Sequence, residues 1–144
     1  MIEAAIGIVI GIAIALSAIA IARALRWQHW YYSATLILLP LVYGAFAMGV
    51  GAGNIAVNEL LLGIPFLAVG AGLMVRGFRR SAIIVGCLWL SHGAFDLFHD
   101  LLLSNPGVPS WYPALCAGFD LSVGSYVLWL STTLENADIR MARS

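Results

Sequence analysis

Apolar residues run almost unbroken through five stretches of this chain, and the polar positions between them are few and clustered. About 20 mostly apolar residues are needed to cross a hydrocarbon core of roughly 30 Å. The stretches 2–24, 33–53, 56–75, 81–103 and 113–134 meet that requirement. The pattern predicts an all-α polytopic membrane protein, with residues 1–144 forming a single five-helix transmembrane domain. Linkers are short. The longest, 104–112, carries Asn105-Pro106-Gly107 and Pro109, which are strong turn and breaker signals.

Composition sharpens this picture. Of 144 residues 62% are apolar and 10% charged, against about 45–50% and about 25% in ordinary soluble domains. So few charges cannot clothe a water-exposed surface, which excludes a soluble domain and a disordered chain. Seven acids balance seven Arg and there is no Lys, so no basic face exists for nucleic acid. The arginines also orient the chain. With five spans, Arg23, Arg26, Arg76, Arg79, Arg80, Arg140 and Arg143 all fall at one end, whereas four or six spans would scatter them. By the positive-inside rule that end is cytoplasmic, so the N-terminus faces out and the C-terminus faces the cytoplasm. A multi-pass protein of a bacterial or archaeal inner (plasma) membrane is expected, with membrane lipids as its surroundings. Met1 to Ile6 carries Glu3 and no positive charge, so the first span is read as a retained helix rather than a signal peptide.

Trp27, Trp30, Tyr31 and Tyr32 are expected at the inner interface, and Trp111 and Tyr112 at the outer one, as aromatic belts. His29 sits among the inner aromatics and has no assigned role. Trp89 and Trp129 read as core filling. Small residues at four-residue spacing let helix backbones approach closely in lipid. Gly7, Gly11 and Ala15 form such a stripe, as do Ala45, Gly49 and Gly53, and Gly118 with Ser122. These stripes serve packing within the chain or in a homo-oligomer. Gly49-Val50-Gly51-Ala52-Gly53 is not a phosphate loop, since no strand precedes it and no Gly-Lys-Ser/Thr follows. Pro40 and Pro65 are expected to kink their helices. Cys87 and Cys116 lie toward opposite ends of adjacent spans, too far apart for a disulfide, so two free thiols are expected.

The informative residues are ionisable groups that no linker claims. At 100° per residue, His92, Asp96 and His99 share one face of the fourth helix, and Asp100 follows 40° beyond Asp96. Asp120 lies on the fifth helix, four residues after Cys116, and Asn58 and Glu59 lie near the start of the third. Depth counted along the helices places all of them in the outer half of the bundle, while the inner half offers Ser17, Ser131, Thr132 and little else. An Asp at a helix centre costs about 2.5–3.5 kcal/mol on insertion scales. Such groups are therefore expected to face one another or a wet pocket.

The first functional reading is a membrane-embedded enzyme acting on a lipid or other apolar small molecule by hydrolysis, isomerisation or cyclisation. His92, Asp96, His99, Asp120 and Glu59 are its candidate catalytic residues, and Asn58, Cys116 and Asp100 line its pocket. Two chemistries fit. A divalent metal such as zinc or iron sits on His92, Asp96 and His99, with Asp120 as a fourth ligand or base; or Asp96 and Asp120 exchange a proton with a histidine and no metal is present. The spacing differs from the His-Glu-x-x-His zinc-protease signature, and three His are too few for the eight-histidine di-iron pattern of membrane desaturases. A second reading is a proton- or ion-coupled carrier or channel subunit, against which the polar path ends at mid-span and no internal repeat is evident. A third is an accessory scaffold, which leaves the one-sided cluster unexplained. Structural roles compete residue by residue: His92 with Asp96 as a brace, Asn54 and Asn58 as helix caps, Glu59 as a first-turn acid, Cys116 as a small apolar packer, and Asp100 as a solvated end residue.

His92, Asp96, His99, Asn105, Pro106, Pro113, Cys116 and Asp120 together resemble a pattern of uncharacterised bacterial integral membrane families. That pattern runs His-x-x-x-Asp-x-x-His, then Asn-Pro and a further Pro, then Cys-x-x-x-Asp on the next helix. In it a second His often follows the last one; here Asp100 takes that place, exchanging a nitrogen ligand for an oxygen. The resemblance covers residues 92–120 and implies one joint site on helices four and five, with no activity attached.

Overall fold

The structure, a computed structural model, describes residues 2–143; the side chains of residues 79, 80 and 135–143 lie outside the description. Arg79, Arg80, Arg140 and Arg143, which enter the orientation count, are therefore outside the described residues. The elements are all helical: α1 (Ile2–Ala24), α2 (Gln28–Gly49), α3 (Gly53–Arg76), α4 (Phe78–Leu102) and α5 (Tyr112–Arg143). Each contains a segment long and apolar enough to cross a membrane.

The largest departure from the sequence expectation is the start of α2. It begins at Gln28 rather than near residue 33, and takes Trp30, Tyr31 and Tyr32 into its first turns. Tyr32 is fully buried, so it is a core residue and not part of an interfacial belt. A hydropathy reading places Tyr at the rim because of its hydroxyl, but packing against Phe78 and Tyr126 captures the ring. The α3–α4 connection shrinks to Gly77, whose φ of 82° suits a residue without a Cβ.

The helices form two layers. α5 packs extensively on both α1 and α4, and α2 packs on α3; contacts between these two groups are fewer, and α1 barely touches α2. The buried stripe Gly7, Gly11, Ala15 of α1 faces α5, as its spacing predicts. A Cβ on Gly11 would collide with the Leu115 carbonyl, and one on Gly118 would meet the backbone of Ile8. The two helices thus run parallel with their backbones in contact. In the other layer the expected stripe fails: Ala45, Gly49 and Gly53 are exposed, and nothing lies near Gly49 or Gly53. Gly63 takes that role instead, because the ring of Pro40 occupies the space a side chain would need. Both Pro40 and Pro65 lie inside continuous helices.

The seam between the layers has two ends. At the end bearing Arg26 and Arg76 its core is Tyr32, Leu36, Val85, Trp89, Val123 and Val127. Trp89 reaches across the seam to donate its indole N–H to the Tyr32 carbonyl at 3.0 Å. Trp129 is 56% exposed and is not core filling; its ring lies beside Tyr126 on the same helix. At the other end, beside Asn105, the seam is lined by ionisable groups.

Candidate functional site

Regular α-helical phase on α4 turns His92, Asp96 and His99 to one face, and all three are buried. α5 contributes Asp120, also fully buried. His92 Nδ1 lies 2.7 Å from Asp120 Oδ2 and 3.4 Å from Asp96 Oδ2, so one imidazole nitrogen faces two carboxylates. Tyr43 of α2 donates its hydroxyl to Asp96 Oδ1 at 2.9 Å. Asp96 Oδ2 and Asp120 Oδ1 are buried and accept no hydrogen bond among the described residues. The His92 ring packs edge-on against Phe66 and beside Phe95, which keep this group in apolar surroundings.

One turn further along α4 is a second polar group. His99 Nε2 donates to Glu59 Oε1 at 3.0 Å. Asn105, in the α4–α5 loop, donates its amide to the same Glu59 oxygen at 2.8 Å and to the Tyr43 carbonyl at 3.0 Å. Its own side-chain oxygen accepts from Gly107 N–H at 3.1 Å. Gly107 lies against the Phe46 carbonyl, where a Cβ would not fit, so the loop is seated on α2. Tyr43 joins the two groups: its hydroxyl binds Asp96 while its ring stacks on His99, centroids 4.3 Å apart. A small cavity of about 10 Å³, lined by Tyr43, Glu59, Gly63, Phe66, His92 and Phe95, opens between α2, α3 and α4. It approaches the size of one water.

The structure therefore gathers His92, Asp96 and Asp120 into one group and His99 with Glu59 into another. Among the described residues, His92, Asp96 and Asp120 offer three ligand atoms within 4.8 Å of one another, a set that could hold a metal ion. The set expected from the sequence was His92, Asp96 and His99, with Asp120 as a fourth ligand or base; the atoms that converge here are those of His92, Asp96 and Asp120. His99 lies one helical turn beyond Asp96 and two beyond His92 and turns to Glu59, while the contact of α4 with α5 brings Asp120 against His92. Asn58 is exposed and does not line the site, because it is adjacent to Glu59 and points to another side of α3. Asp100 has a 78% exposed side chain and touches the site only through a 3.4 Å approach to His99 Nδ1. Cys116 is half-buried and, like the exposed Cys87, a free thiol. α3 has no side-chain cap, so Asn54 and Asn58 do not act as caps, and Glu59 lies beyond the first turn.

Sequence reasoning missed two members. Asn105 was legible as a turn former and as a member of the 92–120 pattern, but not as a partner of Glu59, because that pairing spans 46 residues. Tyr43 carried a usable signal: a tyrosine in mid-span, away from either rim, needs a partner for its hydroxyl.

No family model matches this chain, and neither does any curated protein or solved structure. The likeness of residues 92–120 to uncharacterised bacterial membrane families thus rests on those residues alone.

Proposed function

We propose that this is a multi-pass membrane protein whose Asn105 end lies in the outer half of the bilayer, and that it is an enzyme acting there on a lipid or other apolar small molecule. Five apolar helices support residence in the membrane. The described arginines Arg23, Arg26 and Arg76 gather at the opposite end from the site, which supports a cytoplasmic C-terminus. The observation that carries the enzymatic reading is the convergence of two buried carboxylates on one imidazole, each with an oxygen that accepts no hydrogen bond among the described residues. Buried polar atoms are rarely unsatisfied, and an unpaired ionised carboxylate in apolar surroundings is costly. A divalent cation such as zinc or iron satisfies both at once. His92, Asp96 and Asp120 would hold such a cation through one nitrogen and two oxygens, and its charge would offset theirs. A bound cation would supply the chemistry that activates water at neutral pH, which favours hydrolysis over isomerisation or cyclisation. Tyr43, through Asp96, holds one carboxylate in place, and Glu59 with His99 stands ready to exchange a proton beside the cavity.

Protein purified without chelator is expected to carry about one divalent metal per chain by elemental analysis, and His92→Ala and Asp120→Asn to lose it. Incubated with a panel of phospholipids and neutral glycerolipids, the wild type should release fatty acid detectable by mass spectrometry, and both variants should not. Metal-free protein that takes up no zinc, iron or manganese and releases nothing from the panel would overturn the reading.

A carrier remains the second reading, because the polar network runs from buried Asp120 to exposed Asp100 by way of Tyr43 and His99. Liposomes bearing the protein and a pH gradient separate the two: proton flux that His92→Ala abolishes, without lipid turnover, favours the carrier.

A further inference from the structure

The arginine end of the molecule carries a second concave feature that the outer site does not use. A cleft of about 580 Å³ opens where the α1–α2 and α3–α4 turns meet α5. Arg26, Gln28, His29 and Arg76 line one part of it, and Phe78 and Leu130 line another. The volume falls within the range of small-molecule sites, roughly 300–1,000 Å³.

The polar lining is donor-rich by construction. Arg26 is held at φ 58°, a left-handed conformation that is uncommon for a residue with a Cβ. The turn fixes it there: Arg26 N–H donates to the Arg23 carbonyl at 3.1 Å and Trp27 N–H to the Ala22 carbonyl at 2.8 Å. His29 Nδ1 donates to the Arg26 carbonyl at 3.0 Å, which ties the imidazole to the same turn. Tyr126 of α5 donates its hydroxyl to Gln28 Oε1 at 2.7 Å. That bond occupies the acceptor of the Gln28 amide and leaves its N–H₂ group as the donor. Arg76 closes α3 just before Gly77, whose φ of 82° turns the chain into Phe78. No carboxylate lines the cleft among the described residues.

We infer that this cleft binds the phosphate headgroup of an anionic phospholipid from the leaflet opposite the proposed active site. Two guanidiniums and an amide suit the phosphate. Phe78 and Leu130 supply apolar surface alongside them, which a free inorganic anion would not use and an acyl chain would. Basic clefts between helices at the cytoplasmic side are suited to acidic headgroups. The left-handed conformation of Arg26 is that of the residue closing α1 in a Schellman turn. The inference rests on the membrane reading but not on the enzymatic one.

The test uses the full chain in detergent, titrated with dioleoyl phosphatidylglycerol or dioleoyl phosphatidylcholine and read by native mass spectrometry. Phosphatidylglycerol is expected to bind about tenfold more tightly. The double variant Arg26→Asn with Arg76→Gln should lose that preference; Asn is chosen because it tolerates the left-handed conformation. Arg26→Lys with Arg76→Lys should keep part of it. Equal binding of the two lipids by the wild type, or an undiminished preference in the Asn/Gln variant, overturns the inference. So does complete displacement of phosphatidylglycerol by millimolar inorganic phosphate, which would mark the cleft as a site for a soluble anion. Extraction of wild-type membranes with alkaline carbonate reports membrane residence separately: protein that stays with the membrane yet shows no headgroup preference sinks this inference alone.

Discussion

The two ends of the seam between α2–α3 and α1–α5–α4 are built from the same helices but hold together differently. At the arginine end the layers meet through large apolar side chains, with the Trp89 indole donating to a backbone carbonyl and the Tyr126 hydroxyl to the Gln28 side chain. At the Asn105 end they meet through side-chain pairs: Tyr43 with Asp96, His99 with Glu59, and Asn105 with Glu59. Apolar packing of the first kind is tolerant of small displacements and stabilises broadly. Charged pairs of the second kind need their partners in place, and breaking one strands the other in an apolar setting. A protein that needed only adhesion could have used the first kind throughout. Among the described residues, buried carboxylates and imidazoles occur in the seam at the Asn105 end and not at the other.

The division is tested hardest at His92. His92→Ala should lower metal retention and any turnover by more than a hundredfold, since direct ligands matter more than the surrounding shell, whose loss typically costs 10–100-fold. Elemental analysis and the lipid-release assay read this. Trp89→Ala should do the opposite: it should cost about 3–5 kcal/mol of stability, seen in denaturant or thermal unfolding, while the folded fraction keeps its metal. If Trp89→Ala empties the metal site in protein that is still folded, the two ends are not separable. Tyr43→Phe removes one hydroxyl and leaves Asp96 Oδ1 without its donor. A loss of about 1–3 kcal/mol is expected, together with a fall in activity within the shell range above. Glu59→Gln tests whether the second polar group is a proton donor or only a brace. It keeps the shape and a hydrogen-bonding oxygen, so an unchanged unfolding midpoint with reduced turnover assigns the chemistry to the carboxylate. Trp129→Ala should be nearly silent, within about 0.5 kcal/mol, because its ring is exposed; a larger change in detergent would show that α5 has a partner on that face.

Periodicity made most of the architecture legible. Five apolar runs became five helices, and the Gly7–Gly11–Ala15 stripe became a packed face, because helix length and phase are local properties. The shared face of His92, Asp96 and His99 was readable for the same reason. Which of them work together was not. Asp120 displaces His99 from the first group only because α5 lies against α4 at that level, and no local pattern encodes a contact across 28 residues. The failed stripe at Ala45, Gly49 and Gly53 teaches the same point from the other side. Small residues permit close approach, but the partner's shape decides where it happens, and here the ring of Pro40 chose Gly63.

The backbone contact between α1 and α5 has a consequence for how the molecule is made. α1 leaves the ribosome before every other helix described here, yet it barely touches its neighbour α2 and finds its mate only when α5 has been translated. Until then its glycine-lined groove lies bare, and the Asp120-bearing helix has not arrived to meet His92. Among these five helices, the docking of α5 on α1 and α4 therefore joins segments far apart in the chain and sets Asp120 against His92 by the same packing.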